Sequence, residues 1–186
     1  MAAAALVPLL PRAAYADSYA STDSTGDVVS FPVSKSAPHT VSPAPQRTQG
    51  DVVGSNVAHR RHVVVLRMQY RELEPTGAAA GDVFVIRSSA ATRVITVFTG
   101  PGYWEGKVTT ENAAGHQVRC HVRHQVDYTA NTATVVVPRS CLGRPRWVRA
   151  GMAALTFDDL DTVFADDARA HGTVGDNPAL GPRVRR

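Results

Sequence analysis

The sequence has little of several things that define whole classes of protein. Its 186 residues include two cysteines, two lysines and two tryptophans, and aromatic residues make up 6%. Two cysteines are too few for a zinc ribbon, an iron–sulfur cluster or a cysteine-rich scaffold. The longest uninterrupted run without a polar residue, Met1 to Pro11, has eleven residues, and a membrane-spanning helix needs ~20. The sequence therefore predicts no transmembrane segment and, at this length, about one domain.

The start of the chain has features of an export signal. Residues 1–16 combine a short apolar stretch with Ala14-Tyr15-Ala16, a small-x-small site of the type that signal peptidases cleave. We expect this segment to be a signal-peptide remnant and the protein to be secreted, either extracellular or associated with the cell wall. Because disulfides are rare in the cytosol and common outside it, Cys120 and Cys141 are then expected to pair. Two unpaired thiols are the alternative.

The composition changes twice along the chain. Residues 17–50 are rich in Ser, Thr and Pro and have no hydrophobic period, which predicts a disordered stalk. In residues 51–157, short β-branched runs alternate with Gly, Pro, Asn and Asp, a pattern typical of an antiparallel all-β domain. Residues 158–186 read as an acidic and then basic C-terminal extension.

Eight strands are predicted in the central region, near residues 51–59, 62–73, 82–88, 92–99, 104–111, 117–128, 133–138 and 146–156. Short strands separated by turn residues, with no helical period, favour an antiparallel β-sandwich of the immunoglobulin-like or jelly-roll-like kind. Two strands alternate clearly between apolar and polar residues, which assigns their faces. The residues expected on the core side are Val64, Leu66, Met68 and Tyr70 in one strand and Val118, Cys120, Val122 and Val126 in the other.

The opposite side of these two strands is basic. Its residues are Arg67, Arg71, Arg119, His121 and Arg123. If the two strands are neighbours in the sheet, this face is strongly basic. Because arginine can hold phosphate with two hydrogen bonds, this face is a candidate for binding anionic polymers. A simple solvated strand face is the alternative, and the absence of interleaved aromatic residues argues against nucleic acid.

Charge is unevenly distributed along the chain. Residues 51–157 carry a net charge of +6 (13 basic and 7 acidic residues), whereas residues 158–176 carry −5 (one arginine and six aspartates). This complementarity suggests that the acidic segment docks on the basic body.

No metal site or catalytic motif emerges from the spacing of the residues. His121 and His124, three apart on a strand, point to opposite faces. The acidic run of Asp158, Asp159, Asp161, Asp166 and Asp167 lacks a calcium-loop pattern, and we expect it to be solvated. No Gly-x-Ser-x-Gly or His-Glu-x-x-His sequence occurs. We therefore expect no metal ligands, no cofactor and no enzymatic activity.

The loop Gly100–Gly106 contains the adjacent aromatic residues Tyr103 and Trp104. One of them, if exposed, could stack on a sugar ring or anchor a partner, which makes the loop a candidate ligand site. The alternative is a tight hairpin from which Trp104 packs into the core.

The segment Val137-Pro138-Arg139-Ser140-Cys141-Leu142-Gly143-Arg144-Pro145-Arg146-Trp147-Val148, the earlier Val118-x-Cys120 and the downstream Ala165-Asp166-Asp167-Ala168 resemble small exported β-sandwich proteins of actinobacteria. The resemblance implies the architecture, export and the disulfide, and it assigns no activity. We expect a non-catalytic extracellular binding or structural module whose partner is a cell-wall polymer or another extracellular protein. A carbohydrate-binding module that uses the Tyr103-Trp104 loop and a secreted protease inhibitor are the alternatives.

Overall fold

The computed structural model describes residues 17–33, 40–159 and 161–186. The predicted signal-peptide remnant, residues 1–16, lies outside the described residues. A 3₁₀ helix spans Arg139–Leu142. The strands are β1 (Asp17–Thr22), β2 (Val29–Pro32), β3 (Ser42–Pro43), β4 (Val52–His59), β5 (Val63–Tyr70), β6 (Ala79–Ser88), β7 (Thr92–Thr99), β8 (Lys107–Asn112), β9 (Arg123–Asp127), β10 (Thr132–Pro138), β11 (Trp147–Phe157), β12 (Thr162–Asp167) and β13 (Val184–Arg185).

These strands form two antiparallel sheets that pack together as a β-sandwich, which confirms the predicted fold class. The smaller sheet has the order β1-β4-β5-β10-β9, and the larger has the order β3-β2-β12-β11-β6-β7-β8 with β13 beside β11. Each of the eight predicted strands overlaps an observed one. In the described ranges, no helix is of the length and apolar character that a membrane crossing requires.

The main core lies between the two sheets. On β5, Val64, Leu66, Met68 and Tyr70 are buried while Arg67 is exposed, so the predicted faces of this strand are confirmed. From the larger sheet, β6, β7 and β11 supply apolar side chains to the same cluster. Period-two alternation on both sheets thus gives a sandwich with one shared interior.

The predicted disordered stalk is wrong for much of residues 17–50. Strand β1 pairs with β4 over six residues, from Asp17 opposite His59 to Thr22 opposite Gly54. Strand β2 joins the larger sheet through β12, and Val28 and Val29 are buried. Sheet pairing supplies the stability that the polar sequence lacks by itself. Residues 34–39 lie outside the described residues.

The prediction that residues 158–186 form an extension outside the β-sandwich is also wrong. Strand β12 pairs with β11, and its Val163 and Ala165 form a second small core with Val29. Asp166 and Asp167 are buried rather than solvated. The acidic segment is therefore attached through backbone pairing with β11, and not by docking on the arginines of the predicted basic face.

Candidate functional site

The predicted disulfide is confirmed. Cys120 and Cys141 are bonded, with their Cα atoms 5.8 Å apart. The bond joins the extended segment before β9 to the 3₁₀ helix Arg139–Leu142. Both cysteines are half-buried and pack against the main core, as the alternation of residues 118–126 predicts for Cys120.

The predicted basic face is divided by the sheet order. Strand β10 lies between β5 and β9, so Arg67 and Arg123 share the outer face but are two strands apart, which is ~10 Å. Arg119 and His121 are exposed on the segment before β9. Arg71 is half-exposed and its Nη1 lies 3.6 Å from Oδ2 of Asp51. The five residues therefore do not converge on one ligand.

The aromatic residues of the Gly100–Gly106 loop are both half-buried. The Nζ atom of Lys107 lies 4.4 Å from the centre of the Tyr103 ring and covers one of its faces. The carbonyl of Trp104 accepts a hydrogen bond of 2.7 Å from the hydroxyl of Tyr128. The loop is thus a braced turn, and sugar binding by these two residues stays a prediction.

Arginines do converge at another place, which we call the arginine pocket. It is a cleft of about 550 Å³ beside the turn that joins β4 to β5. Its lining residues are Arg61, His62, Arg139, Ser140, Arg144 and Arg186.

The local sequence Arg139-Ser-Cys-Leu-Gly-Arg144 builds the wall of this pocket. The helix Arg139–Leu142 ends at Gly143, which has a left-handed φ of 73°, and the backbone N–H of Arg144 closes the turn on the carbonyl of Arg139 at 2.8 Å. This is a helix end of the type that glycine favours. It brings the two arginines to one side, and the disulfide at Cys141 fixes the turn to the rest of the fold.

Arg139 is held by neutral groups. Its Nη1 donates to the carbonyl of Arg61 at 3.0 Å, its Nη2 donates to the carbonyl of Pro145, and its buried Nε has no partner among the described residues. Burial, followed by the charges of Arg186 and Arg144, lowers the pKa of Arg139. Within the described ranges, none of the pocket arginines forms a salt bridge. The pocket thus concentrates arginines that have no salt-bridged carboxylate in the described part of the chain.

A group of opposite charge lies at the other end of β4. Asp51 directly precedes this strand, and His59 and the β4–β5 turn end it, so the two groups are separated by ~26 Å of strand. One carboxylate oxygen from each of Asp27, Asp51 and Asp166 lies within 4.8 Å of the others. Asp23 and Asp27 form a second such group with His171. We call Asp23, Asp27, Asp51 and Asp166 the acidic cluster.

Backbone N–H groups donate hydrogen bonds to three carboxylates of the acidic cluster. Oδ2 of Asp51 accepts from the N–H of Gly26 at 2.9 Å, and Oδ2 of Asp166 accepts from the N–H of Val52 at 2.6 Å. Oδ1 of Asp23 accepts from the N–H of Ser24 at 2.9 Å. The carboxylates of Asp23, Asp51 and Asp166 are therefore fixed in orientation by backbone groups.

Burial makes ionisation of the cluster unfavourable. It raises the pKa of Asp166 to about 8 and that of Asp23 to about 6, and the neighbouring aspartates add to both effects. The pKa of Asp27 is raised as well, chiefly by burial and further by Asp51. Perturbed groups of this kind concentrate at functional sites, although ion-pair networks also produce them.

Sequence reasoning missed both groups. The acidic cluster draws on positions between 23 and 166, and its members come from segments predicted as stalk, domain and extension. In the sequence, Asp166 belongs to the acidic run of residues 158–167, and the spacing of that run does not fit a calcium-binding loop. Comparison with protein-family models, curated proteins and solved structures finds no match to this chain, so the resemblance to exported actinobacterial proteins stays a prediction.

Proposed function

We propose that the protein is an exported, non-catalytic β-sandwich module that binds a phosphate-bearing polymer at the cell surface through the arginine pocket. One observation carries the proposal: Arg61, Arg139, Arg144 and Arg186 line one cleft and, in the part of the chain that the structure describes, none of them has a carboxylate partner.

The chemistry of the pocket suits a phosphate group. Guanidinium groups donate paired hydrogen bonds to phosphate oxygens, and such charge-assisted bonds are roughly twice as strong as neutral ones. Arg139 is already fixed by the carbonyls of Arg61 and Pro145, so binding costs little of its side-chain entropy. Burial and then the charges of Arg186 and Arg144 lower the pKa of Arg139, and an anion between the arginines also relieves their mutual repulsion.

The disulfide supports the proposed extracellular location and the proposed binding site. The Cys120–Cys141 bond is of the kind that persists in oxidising compartments outside the cytosol. The bond also lies next to the pocket, since Cys141 belongs to the helix that carries Arg139 and Ser140. The lining residues supply positive charge and hydrogen-bond donors, which are the means of binding an anion.

Binding to inorganic polyphosphate, measured by isothermal titration calorimetry, tests the proposal. The pocket variant replaces two exposed residues, Arg144→Gln with Arg186→Gln, and leaves the fixed Arg139 in place. The matched control, Arg67→Gln with Arg123→Gln, removes the same charge from the outer sheet face. We expect the pocket variant to lose at least tenfold in affinity, since hydrogen bonds to charged groups contribute ~1.5–3 kcal/mol each. The control should change less than twofold.

Equal losses in the two variants would mean that general positive charge binds the polymer, and the pocket assignment would be wrong. Polyphosphate binding by the wild type should also weaken as salt rises, because salt screens exposed charges. Binding of a neutral polysaccharide with a change in tryptophan fluorescence, and no binding of polyphosphate, would favour the Tyr103-Trp104 loop instead.

A further inference from the structure

We propose that the acidic cluster of Asp23, Asp27, Asp51 and Asp166 is a calcium site that joins the N-terminal segment to both sheets of the sandwich. This site lies at the opposite end of β4 from the arginine pocket and is independent of polymer binding.

The oxygen atoms of Asp27, Asp51 and Asp166 are close enough for one ion. Calcium binds six to eight oxygens at ~2.3–2.6 Å, so two of its ligands lie at most ~5 Å apart. Asp27, Asp51 and Asp166 each place an oxygen within 4.8 Å of the other two. Asp23 lies beside this group, with a carboxylate oxygen within 4.8 Å of one from Asp27.

Unpartnered oxygens give the second, independent indication. Asp51 is 0% exposed and Asp166 is 1% exposed, and Oδ1 of each has no hydrogen-bond partner among the described residues. The same holds for Oδ2 of Asp23 and for both oxygens of Asp27. Buried polar atoms are almost always hydrogen-bonded, and five such oxygens in one cluster require an explanation. A bound cation supplies it, with water completing the coordination.

The two oxygens of Asp51, and likewise those of Asp166, have different roles, and this fits the assignment. Asp51 and Asp166 each use Oδ2 to accept a backbone N–H, from Gly26 and from Val52, and keep Oδ1 free. Ligating carboxylates are commonly oriented in this way by a second hydrogen bond, which lowers the entropy lost when the ion binds. The acidic cluster is thus pre-organised for a ligand before the ligand arrives.

The positive groups nearby do not neutralise the cluster. Arg71 approaches Asp51 at 3.6 Å but is 47% exposed, and His171 approaches Asp23 at 3.3 Å but is 66% exposed. Buried like charges without compensation are strongly unfavourable, and a protein either protonates them or binds a cation. Burial, and to a smaller extent the neighbouring aspartates, raises the pKa values of Asp23 and Asp166.

The chemistry of the ligand atoms favours calcium over zinc and magnesium. It consists of carboxylate oxygens, which suit hard cations, and its only nitrogen, from His171, belongs to an exposed side chain. Zinc prefers His and Cys ligands, and magnesium demands a near-ideal octahedron and gives up its water reluctantly. Calcium accepts an irregular set of carboxylates, and extracellular modules bind it with Kd values of ~10⁻⁴–10⁻³ M.

The position of the site indicates a structural role for the ion. Asp23 and Asp27 lie in the turn between β1 and β2, Asp51 precedes β4 of the smaller sheet, and Asp166 is the next-to-last residue of β12 in the larger sheet. A calcium ion there connects these three segments of the chain. Its removal should loosen the N-terminal segment first.

The full-length protein, treated with EDTA and then exchanged into 5 mM CaCl₂, tests the proposal by thermal unfolding and calorimetric titration. We expect calcium to raise the Tm of the wild type by ~2–9 °C, the shift for an ion at about 5–50 times its Kd in a chain of this size. Asp27→Asn should abolish this gain and, in EDTA, should have the same Tm as the wild type or a higher one, since it removes repulsion. The control Asp176→Asn, which removes an exposed aspartate, should keep the whole gain.

Three results would overturn the assignment: a wild-type Tm that calcium does not change, a gain that Asp27→Asn retains, or a response to Zn²⁺ without one to Ca²⁺. A loss of stability by Asp27→Asn in EDTA would show that the residue is structural and not a ligand. Equal responses to Mg²⁺ and Ca²⁺ would contradict the selectivity. Polyphosphate binding, measured beside each variant, should not change, so the failure of one proposal is separable from the failure of the other.

Discussion

Oδ2 of Asp166 accepts a hydrogen bond of 2.6 Å from the backbone N–H of Val52, which lies 114 positions earlier in the chain and in the opposite sheet. A β-bulge between Val52 and Gly54 disturbs the pairing of β4 with β5 at this point, and bulges leave backbone groups without their ladder partners. A side chain from the larger sheet thus completes the hydrogen bonding of the smaller one. The same carboxyl group belongs to the acidic cluster. Asp166 therefore connects the two sheets and also contributes to a candidate ion site.

The Asp166–Val52 contact predicts different outcomes for two substitutions. Asp166→Ala and Asp166→Asn both remove the ionisable group, but only Asn keeps an oxygen that can accept from the N–H of Val52. A buried N–H without a partner costs ~1–3 kcal/mol. In EDTA we expect the Ala variant to be less stable than the Asn variant by that amount, measured by urea unfolding. Equal stability of the two variants would show that this hydrogen bond contributes nothing.

A second buried acid predicts how stability depends on pH. Asp82 accepts a hydrogen bond of 2.6 Å from the hydroxyl of Tyr70, and burial raises its pKa from 3.8 to about 6. The folded protein therefore holds this proton more tightly than the unfolded chain does. The stabilisation is complete below pH 3.8 and is lost as the pH rises through 6, by ~3 kcal/mol in all.

Substitution of Asp82 isolates this contribution from those of the other carboxyl groups. Asp82→Asn retains an acceptor for the Tyr70 hydroxyl and cannot ionise. The stability of the variant relative to the wild type should therefore increase between pH 4 and pH 6 and level off above that, since the wild type loses the stabilisation between the two pKa values. Urea unfolding of both proteins in one buffer series measures the difference. A difference that is flat across this range would contradict the raised pKa.

The sequence predicts the strands that alternate or carry long β-branched runs, and it misses the strands that depend on their neighbours. Strand β5 is evident because Val64, Leu66 and Met68 alternate with polar residues. Strand β1 has one large apolar side chain, Tyr19, among six residues, and its polar composition resembles that of a linker. It is a strand because β4 offers it an edge and Arg169 donates a hydrogen bond to the Tyr19 hydroxyl at 2.7 Å. Neither partner is visible in the local sequence.

The candidate sites could not be predicted for a related reason. Spacing rules detect ligands that share one loop or one strand face, and Asp27, Asp51 and Asp166 share neither. The predicted basic face is divided because β10 separates β5 from β9. The arginines that do converge include Arg61 in a turn and Arg186, the last residue of the sequence. Tertiary structure brings them together, and no period or motif marks them.

The turn that carries the arginine pocket depends on Gly143. Its φ of 73° lies in the left-handed region, and a Cβ atom at this position would lie 2.7 Å from the Cβ of Ala90. Gly115 provides a matched control, since its φ is 76° and a Cβ there would meet nothing within 4 Å. Both Gly→Ala variants incur the ~1–2 kcal/mol of a left-handed residue, and only Gly143→Ala adds a clash. We therefore expect Gly143→Ala to lower Tm more and to weaken polyphosphate binding, whereas Gly115→Ala leaves binding intact.

The disulfide fixes the same turn from its other side, and reduction should reveal two effects. Cys120 and Cys141 are 21 positions apart, and closing a loop of this length contributes ~3 kcal/mol through the entropy of the unfolded chain. Reduction, or the double variant Cys120→Ser with Cys141→Ser, should lower Tm by ~6–12 °C. It should also weaken polyphosphate binding at temperatures where the fold persists, because the helix of Arg139 loses its tether. An oxidised and a reduced sample with the same Tm would contradict the first effect. Calcium binding should survive reduction, since the acidic cluster lies at the far end of β4.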